Sequence, residues 1–487
     1  MMQNIIVDSN SFKGRCRKIT RILSGVTVVA VMTAPYPCPH GKCIYCPGGP
    51  EFNSPQSYFG DEPALMRAKR VNFDPYEQVR IRLKQYEALG HRPSKVDVIV
   101  MGGTFTALPE WYQEWFVASI FDAFNRYPEG RSKEPPPLEV AQSINESARI
   151  RVVGLTFETR PDQINEYQVN RLLYLGGTRV ELGVQSIYDD ILQLINRGHT
   201  VKEVVKATKL LKDSGFKVVY HIMPGLPGSD FRRDLECVRE IFDNPDFRPD
   251  MLKIYPTLVV KGTKLYDLWI RGEYKALTDE EAVELISEMY RYIPRWVRVM
   301  RIQRDIPANY IEAGPKKGNL RELVEAATLS KGIAINEIRY REVGRALYKR
   351  NVKPYRADVS VEEYEASGGL EVFISAEDKV NNVLLGFIRV RIPSEDAFRH
   401  EIDNKTAIVR ELHVYGPQVP VGEEPLDHEF QHRGYGVLLL SKAEELMLNK
   451  YDKRKILILS GVGVREYYRK LGYWRERDSP YMMKLLN

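Results

Sequence analysis

The sequence predicts an α/β protein in two parts, a partial (β/α) barrel followed by a smaller α+β domain. Three observations predict it. Apolar, β-branched runs alternate with amphipathic helical stretches as far as Gln303, and after Lys353 the pattern changes to consecutive antiparallel strands. A chain of 487 residues is also more than one ordinary core holds.

The barrel strands read, in order, as "VTVVAVM" ending at Met32, "VDVIVMGGT" from Val96, "RVVGLTFET" from Arg151, "RVELGVQS" from Arg179, "KVVYHIMPG" from Lys217, "MLKIYPT" from Met251 and "VRVMRIQ" from Val297. Helical stretches such as the one ending at Tyr174 and the one from Val201 to Leu211 lie between them. Alternating strand and helix makes a parallel sheet with right-handed crossovers. The strand ends carry "MGGT", "FETRPD", "GVQS" and "MPGLPG", glycine-rich or polar as a rim around a cofactor requires. Arg160, Pro161 and Asp162 read as a helix start with Asp162 as its cap. "RSKEPPP" reads as a loop insertion between the second helix and the third strand, and "EAGPKKGN" as a turn-rich bridge. The barrel is thus expected over 1–305, a linker over 306–354 and the second domain over 355–487. That domain reads as strands "LEVFISAE", "NVLLGFIRVRIP" and "TAIVRELHVYG", then a helix opened by the glycine turn "QHRGYG". The strand "KILILSG", the helix "GVREYYRKLGY" and a last strand "PYMMKLL" follow.

Bulk composition narrows the class. The chain is 43% hydrophobic and 28% charged, and no apolar run approaches the ~20 residues needed to span a bilayer. "RCRKITRIL" near the start lacks the apolar core of a signal peptide, so a cytoplasmic protein with reduced thiols is expected. The net charge of +6 is compatible with a polyanionic partner without demanding one.

Of the five cysteines, Cys38, Cys43 and Cys46 crowd into "PYPCPHGKCIYCPGG", directly after the first strand. A structural zinc wants four ligands, usually as two paired knuckles. No second C-x2-C exists, and the spacing of His40 to Cys38 strains a tetrahedron. An iron–sulfur cluster held by three thiolates keeps one iron open, which is useful where S-adenosylmethionine must bind it and be cleaved reductively. The loop is one residue longer than the usual C-x3-C-x2-C of such enzymes. Gly48, Gly49 and Pro50 let the backbone wrap closely, and Tyr45 stands where an aromatic ring shields an adenosyl group. Gly102, Gly103 and Thr104 end the second strand where a backbone edge meets the methionine amino group. Glu158, Arg160 and Gln185 point from neighbouring strand ends as polar cofactor contacts; each also reads as a structural polar residue.

In the second domain, the glycines of "QHRGYG" bare backbone N–H groups at a helix N-terminus, a ready site for a diphosphate. A pantetheine arm can hydrogen-bond like an extra strand beside Glu411, Leu412, His413 and Val414. The hydroxyl of Tyr468 or Tyr467 then lies near the sulfur as a donor. That order of parts is the layout of a GNAT-type acetyltransferase binding acetyl-CoA.

A radical S-adenosylmethionine (radical SAM) barrel fused to a GNAT-type domain is a rare pairing. On "CPHGKCIYCPGGP", "VMGGTFTALP", "GLTFETRPD", "ELGVQS", "RGHT", "MPGLPG", "IVRELHVYG", "HRGYGVLLL" and "SGVGVREYYRKLGY", nearly the whole chain closely resembles the Elongator catalytic-subunit family, including its stand-alone archaeal and bacterial members. The resemblance implies modification of the tRNA wobble uridine to 5-carboxymethyluridine from acetyl-CoA, with the anticodon loop as partner and an electron donor required. It also implies a homodimer or Elongator-like partner subunits. Cys38, Cys43 and Cys46 would hold a 4Fe–4S cluster. Lys95, Glu411 to Val414, Tyr435, Gly436, Val437 and Tyr468 match acetyl-CoA positions, with Tyr468 and Lys95 in catalytic roles. Two departures stand out. Members often carry a cysteine-rich zinc site between the domains, whereas "AINEIRYREVG" has no cysteine, so packing is expected to hold the linker. Members also usually carry a longer basic N-terminal segment, which lowers the tRNA affinity expected here.

The chemistry follows from what uridine C5 allows: an acetyl methyl is a poor nucleophile, and a radical bypasses that limit. Cofactor, acetyl-CoA and an unstacked base must then meet in a closed cleft between the domains. The arginines of "RYIPRWVRVMRIQR" are candidate phosphate contacts. Two rival readings are a protein lysine acetyltransferase using the second domain alone, for which neither Glu411 nor Glu466 is a clear base, and a tRNA-binding scaffold.

Overall fold

A computed structural model describes residues 23–131, 133–419, 431 and 433–487. Cys16 and the basic opening stretch lie outside the described residues. Seven parallel strands form the first sheet, in sequence order: β1 (Thr27–Met32), β2 (Lys95–Met101), β3 (Arg151–Thr159), β4 (Arg179–Gln185), β5 (Lys217–Ile222), β6 (Met251–Ile254) and β7 (Arg298–Ile302). Among the described residues its edges are β1 and β7, which do not pair with each other, so this sheet is an open barrel. Helices including Pro75–Ala88, Glu110–Arg126, Glu166–Tyr174, Val201–Asp213 and Phe231–Asp243 cover the outside.

Strand period 2 sorts the side chains. On β2, Val96, Val98 and Val100 are fully buried against the helices, while Asp97, Ile99 and Met101 face the lumen. On β4, Val180, Leu182 and Val184 pack outward, and Arg179, Glu181, Gly183 and Gln185 face inward. A barrel core filled for stability is apolar; this lumen is lined by charge.

The second sheet runs β8 (Asp358–Ala366), β9 (Gly369–Asp378), β10 (Val383–Ile392), β11 (Thr406–Val414), β12 (Lys455–Ile458) and β13 (Met482–Leu485), with the helix Tyr435–Asn449 packed on it. All neighbours are antiparallel except β11 and β12, which are parallel. Pairing of those two stops at Val409 and Ile458, whereas β11 continues to Val414 along β10. The outer edge of Glu411–Val414 is therefore released from the ladder.

The two domains share one core. Phe373, Leu385, Phe387 and Tyr415 belong to the same apolar cluster as the barrel strands, and Trp296 stacks on Tyr364 with centroids 4.0 Å apart. A Cβ on Gly461 would lie 2.2 Å from the Val153 carbonyl oxygen, so only glycine permits that backbone approach. Buried charge is also matched across the boundary. Asp250 accepts from Arg410 Nη1 at 2.7 Å and Nη2 at 2.5 Å, and Arg391 donates to Asp213 and Glu371. Between the domains, Glu342 pairs with Arg298, and Glu377 with Arg341 and Arg295. Ion pairs as well as packing hold that segment.

Several local expectations are corrected. Asp162 caps nothing: Pro161–Gln163 is a 3-10 turn, Asp162 pairs with Arg160 at 2.9 Å, and the helix starts at Glu166 behind the cap Asn165. Pro161 fits the short turn, and Asn165 is the residue whose side chain reaches the next free N–H. A helix, Leu138–Asn145, stands between the "RSKEPPP" insertion and β3. Strand β8 was not legible because its "DVSVEEYEA" is an exposed edge carrying glutamates. The "GVREYYRKLGY" stretch is α-helical only over Arg465–Arg469, directly after a 3-10 turn at Val462–Val464.

Candidate active site

The cysteine loop leaves the C-terminal end of β1 and folds back over the barrel mouth. Cys43 and Cys46 are buried and Cys38 is half-buried. Each sulfur is met by a donor. The Ser57 N–H lies 3.1 Å from Cys46 Sγ, Thr104 Oγ1 lies 3.4 Å from Cys38 Sγ, and Arg197 Nη1 lies 3.8 Å from Cys43 Sγ, with His40 Nε2 at 3.2 Å. Donors and a buried guanidinium aimed at sulfur favour thiolates bound to an electron-rich centre. Burial first, then the neighbouring Cys43, pushes Cys46 up to about 11, and burial also raises Cys38. These are not reactive free thiols; they ionise when a cation group binds. The three sulfurs do not all lie within 4.8 Å of one another, as ligands of a single ion would. The donor set therefore fits an iron–sulfur cluster. Burial, then Arg160 and Arg197, lowers His40 to about 4, so it stands neutral beside the loop. Cys237 lies apart in the apolar core.

Around this loop the sequence-predicted rim residues converge. Gly102 and Gly103 have φ of 149° and 89°, in the region that favours glycine. Glu158 is buried, accepts from the Tyr58 hydroxyl, and lies 3.4 Å from the Gly102 N–H. Gln185 sits at φ 70°, a strained value for a side-chain-bearing residue, and its Oε1 has no hydrogen-bond partner. Arg160 is held by the Arg197 carbonyl at 2.7 Å, beneath the cysteine loop. Tyr45 is buried against Ile191, Ile195 and Met223.

Cys38, Gly103, Thr104, Glu158 and Gln185 line the upper end of a cavity of about 680 Å³ that runs down the barrel. Halfway down, donor atoms of Glu158, Glu181 and His221 come within 4.8 Å of one another. Lys253 pairs with Glu181, and His221 Nε2 lies 2.7 Å from the same carboxylate. Burial pushes Glu181 up, but Lys253, His221 and Arg179 together outweigh it and hold the carboxyl well below the usual carboxylate range. At the lower end, Glu411, His413 and Tyr415 of the second domain close the floor. The wall arginines divide by partner. Arg295 and Arg298 are tied to Glu377 and Glu342, while Arg301 and Arg304 line the cavity near Ser57 and Asp305.

A second cavity of about 620 Å³ lies along the free edge of β11. It gathers the remaining predicted positions: Lys95, Glu411, Leu412, His413, Val414, Tyr435, Gly436, Val437 and Tyr468. Lys95 is the first residue of β2 and donates to Gln431 at 2.7 Å. Gly434, at φ 84°, caps the helix that begins at Tyr435. Tyr468 is buried, and burial raises its hydroxyl well above the ordinary value. Val26, Asp97, Arg179, Glu411 and His413 line both cavities. The two spaces meet at the N-terminal end of the barrel, opposite the cysteine loop. Sequence reasoning missed Asp97, Arg179, Glu181, His221 and Lys253; the signal for the first three is the alternating charge that opens "KVDVIVM" and "RVELGVQ", and for His221 and Lys253 a single polar residue in the apolar runs "VVYHI" and "MLKI".

Residues 35–240 match the radical SAM superfamily, 249–329 the radical SAM C-terminal domain, and 339–473 the acetyltransferase (GNAT) family. The tRNA uridine(34) acetyltransferase of Methanocaldococcus jannaschii is 52% identical over 475 residues, which cover 96% of this chain and 86% of that one. Elongator complex protein 3 of Homo sapiens is 45% identical over 477 residues, covering 96% and 86% respectively. The chain belongs to the Elongator complex protein 3 family. The solved structure of the archaeal Methanocaldococcus infernus Elp3 with an N-terminal deletion (1–46) has a TM-score of 0.83 and 48% identity, covering 95% of this chain and all of that one. The chain joins a radical SAM half-barrel to a GNAT domain. No helix among the described residues is long and apolar enough to cross a membrane.

Proposed function

We propose that this chain converts the wobble uridine of tRNA, position 34, to 5-carboxymethyluridine, taking the two carbons from acetyl-CoA. The observation that carries the reading is the shared wall of the two cavities, because a two-carbon transfer to a base needs the thioester and the radical source in one closed space. Cys38, Cys43 and Cys46 would hold a 4Fe–4S cluster. Gly102, Gly103, Thr104, Glu158 and Gln185 would hold S-adenosylmethionine beside it. When bound, that pair supplies one-electron cleavage chemistry, driven by an external electron donor.

The chain's own residues do the rest. Lys95, the freed edge of Glu411–Val414 and the helix start at Tyr435, Gly436 and Val437 bind acetyl-CoA, and Tyr468 donates toward its sulfur. Glu181, His221 and Lys253 give the lumen fixed polar groups that replace bulk water around the reacting atoms. Arg301 and Arg304 stand at the wall nearest the cysteine loop, where the anticodon loop must deliver an unstacked base. A lysine acetyltransferase reading lacks its base: Glu411 is bound to Arg389 at 2.9 Å, and Glu466 is a half-buried partner of Arg469.

Anaerobic incubation of the reconstituted protein with tRNA, acetyl-CoA, S-adenosylmethionine and a reductant tests this by mass spectrometry of the nucleosides. A 5-carboxymethyluridine peak that needs all four additions is expected. Its absence, with S-adenosylmethionine intact, overturns the reading.

A further inference from the structure

The junction of the two cavities carries an assignment of its own, resting on the acetyl-CoA reading above. The direction of the bound arm is fixed by the fold. A Cβ on Gly436 would lie 3.9 Å from Val414 Cγ2, so the helix start that takes the diphosphate stands at the Val414 end of the free edge. The reactive end of the arm then lies at Glu411, where the second cavity opens into the barrel. Glu411 itself is occupied by Arg389. Across the junction stands Arg179, only 6% exposed. Its Nη2 donates to Asp97 Oδ2 at 2.7 Å. Its Nε, and the other oxygen of Asp97, are buried without a hydrogen-bond partner. Arg179 is thus paired to Asp97 at one end and still holds a dry N–H without an acceptor beside the ligand junction, which is costly unless something polar takes the bond. Glycine at 154, which also lines the second cavity, makes room for this carboxylate: a Cβ there would come within 2.8 Å of the unpaired Asp97 oxygen.

We propose that Arg179, oriented by Asp97, binds the carbonyl oxygen of the acetyl thioester and turns its methyl carbon into the barrel lumen. The guanidinium gives a charge-assisted bond of fixed direction. It therefore selects thioesters over thioethers and sets which carbon faces the cofactor end of the barrel. Asp97 is a positioning residue: it acts on the ligand only through Arg179.

Calorimetric titration of the full reconstituted chain with acetyl-CoA and with S-ethyl-CoA tests this. S-ethyl-CoA keeps the two carbons and lacks the carbonyl oxygen. The wild-type protein is expected to prefer acetyl-CoA by about tenfold or more. In Arg179→Gln the preference collapses while the affinity for S-ethyl-CoA stays within about twofold, since only the carbonyl contact is removed. Asp97→Asn weakens the preference without abolishing it. Should Arg179→Gln fail to fold, the double variant Arg179→Met with Asp97→Asn leaves no uncompensated charge at the pair and carries the same expectation. If the wild-type protein takes up neither ligand, the acetyl-CoA reading itself fails. If it binds both and Arg179→Gln keeps the full preference, this assignment alone is overturned.

Discussion

Replacing Cys38, Cys43 and Cys46 with alanine removes iron and acid-labile sulfide from the reconstituted protein and brings S-adenosylmethionine cleavage and tRNA product to background. The effect is total because a cofactor carries chemistry that no side chain can substitute. Acetyl-CoA binding should persist within about twofold, since its predicted contacts lie at the other end of the barrel and lose no partner. Cys237→Ala is the matched control. That thiol is buried among apolar residues, and burial pushes it up to about 12, so its loss costs packing but no iron. Iron and sulfide assays with anaerobic absorption spectra check the prediction; iron retained by the triple variant would contradict it.

The second large effect lies at the domain boundary. Asp250→Ala is expected to destabilise the fold by about 3–5 kcal/mol, because it strands cations that are fully buried. Asp250 accepts both bonds from Arg410, takes the Val218 N–H at 2.8 Å, and lies 3.7 Å from the Lys212 ammonium. Burial pushes its carboxyl up, but Arg410 and Lys212 outweigh that and hold it well below the usual carboxylate range. The folded-state value is therefore depressed. The stabilisation it reports is complete above the unfolded value of about 4 and is lost as pH falls through the folded value. Urea unfolding of the wild-type protein should weaken in acid, and that acid slope should be smaller in Asp250→Ala. An unchanged midpoint in the variant would show that the domains do not depend on this network.

Much of this was legible in the chain, and for physical reasons. Parallel strands buried on their outer face read as β-branched runs, and all seven barrel strands fall where those runs are. The cysteine spacing and the glycine turn before Tyr435 are local signals, so the two ends of the site could be read separately. What joins them was not legible. Arg179 and Asp97 belong to different strands, and nothing local to "RVELGVQ" says that Asp97 stands opposite it. The floor made by Glu411, His413 and Tyr415 depends on how two domains dock, and the sequence places those residues only on a strand. Barrel precedent directs attention to the strand C-termini, whereas here the cavity along the free edge of β11 opens at the strand N-termini. The edge strand Asp358–Ala366 escaped notice because an exposed strand need not carry the apolar alternation by which strands are found.

The central claim is that the acetyl group reaches across the shared wall of the two cavities and reacts inside the barrel. Acetyl-CoA carrying three deuterons on its methyl tests that most directly, in the presence of tRNA, S-adenosylmethionine and reductant. Mass spectrometry should find one deuteron in the released 5′-deoxyadenosine and two in the new carboxymethyl group. Unlabelled 5′-deoxyadenosine alongside labelled tRNA product would contradict the claim, because the methyl hydrogen would then have left by another route.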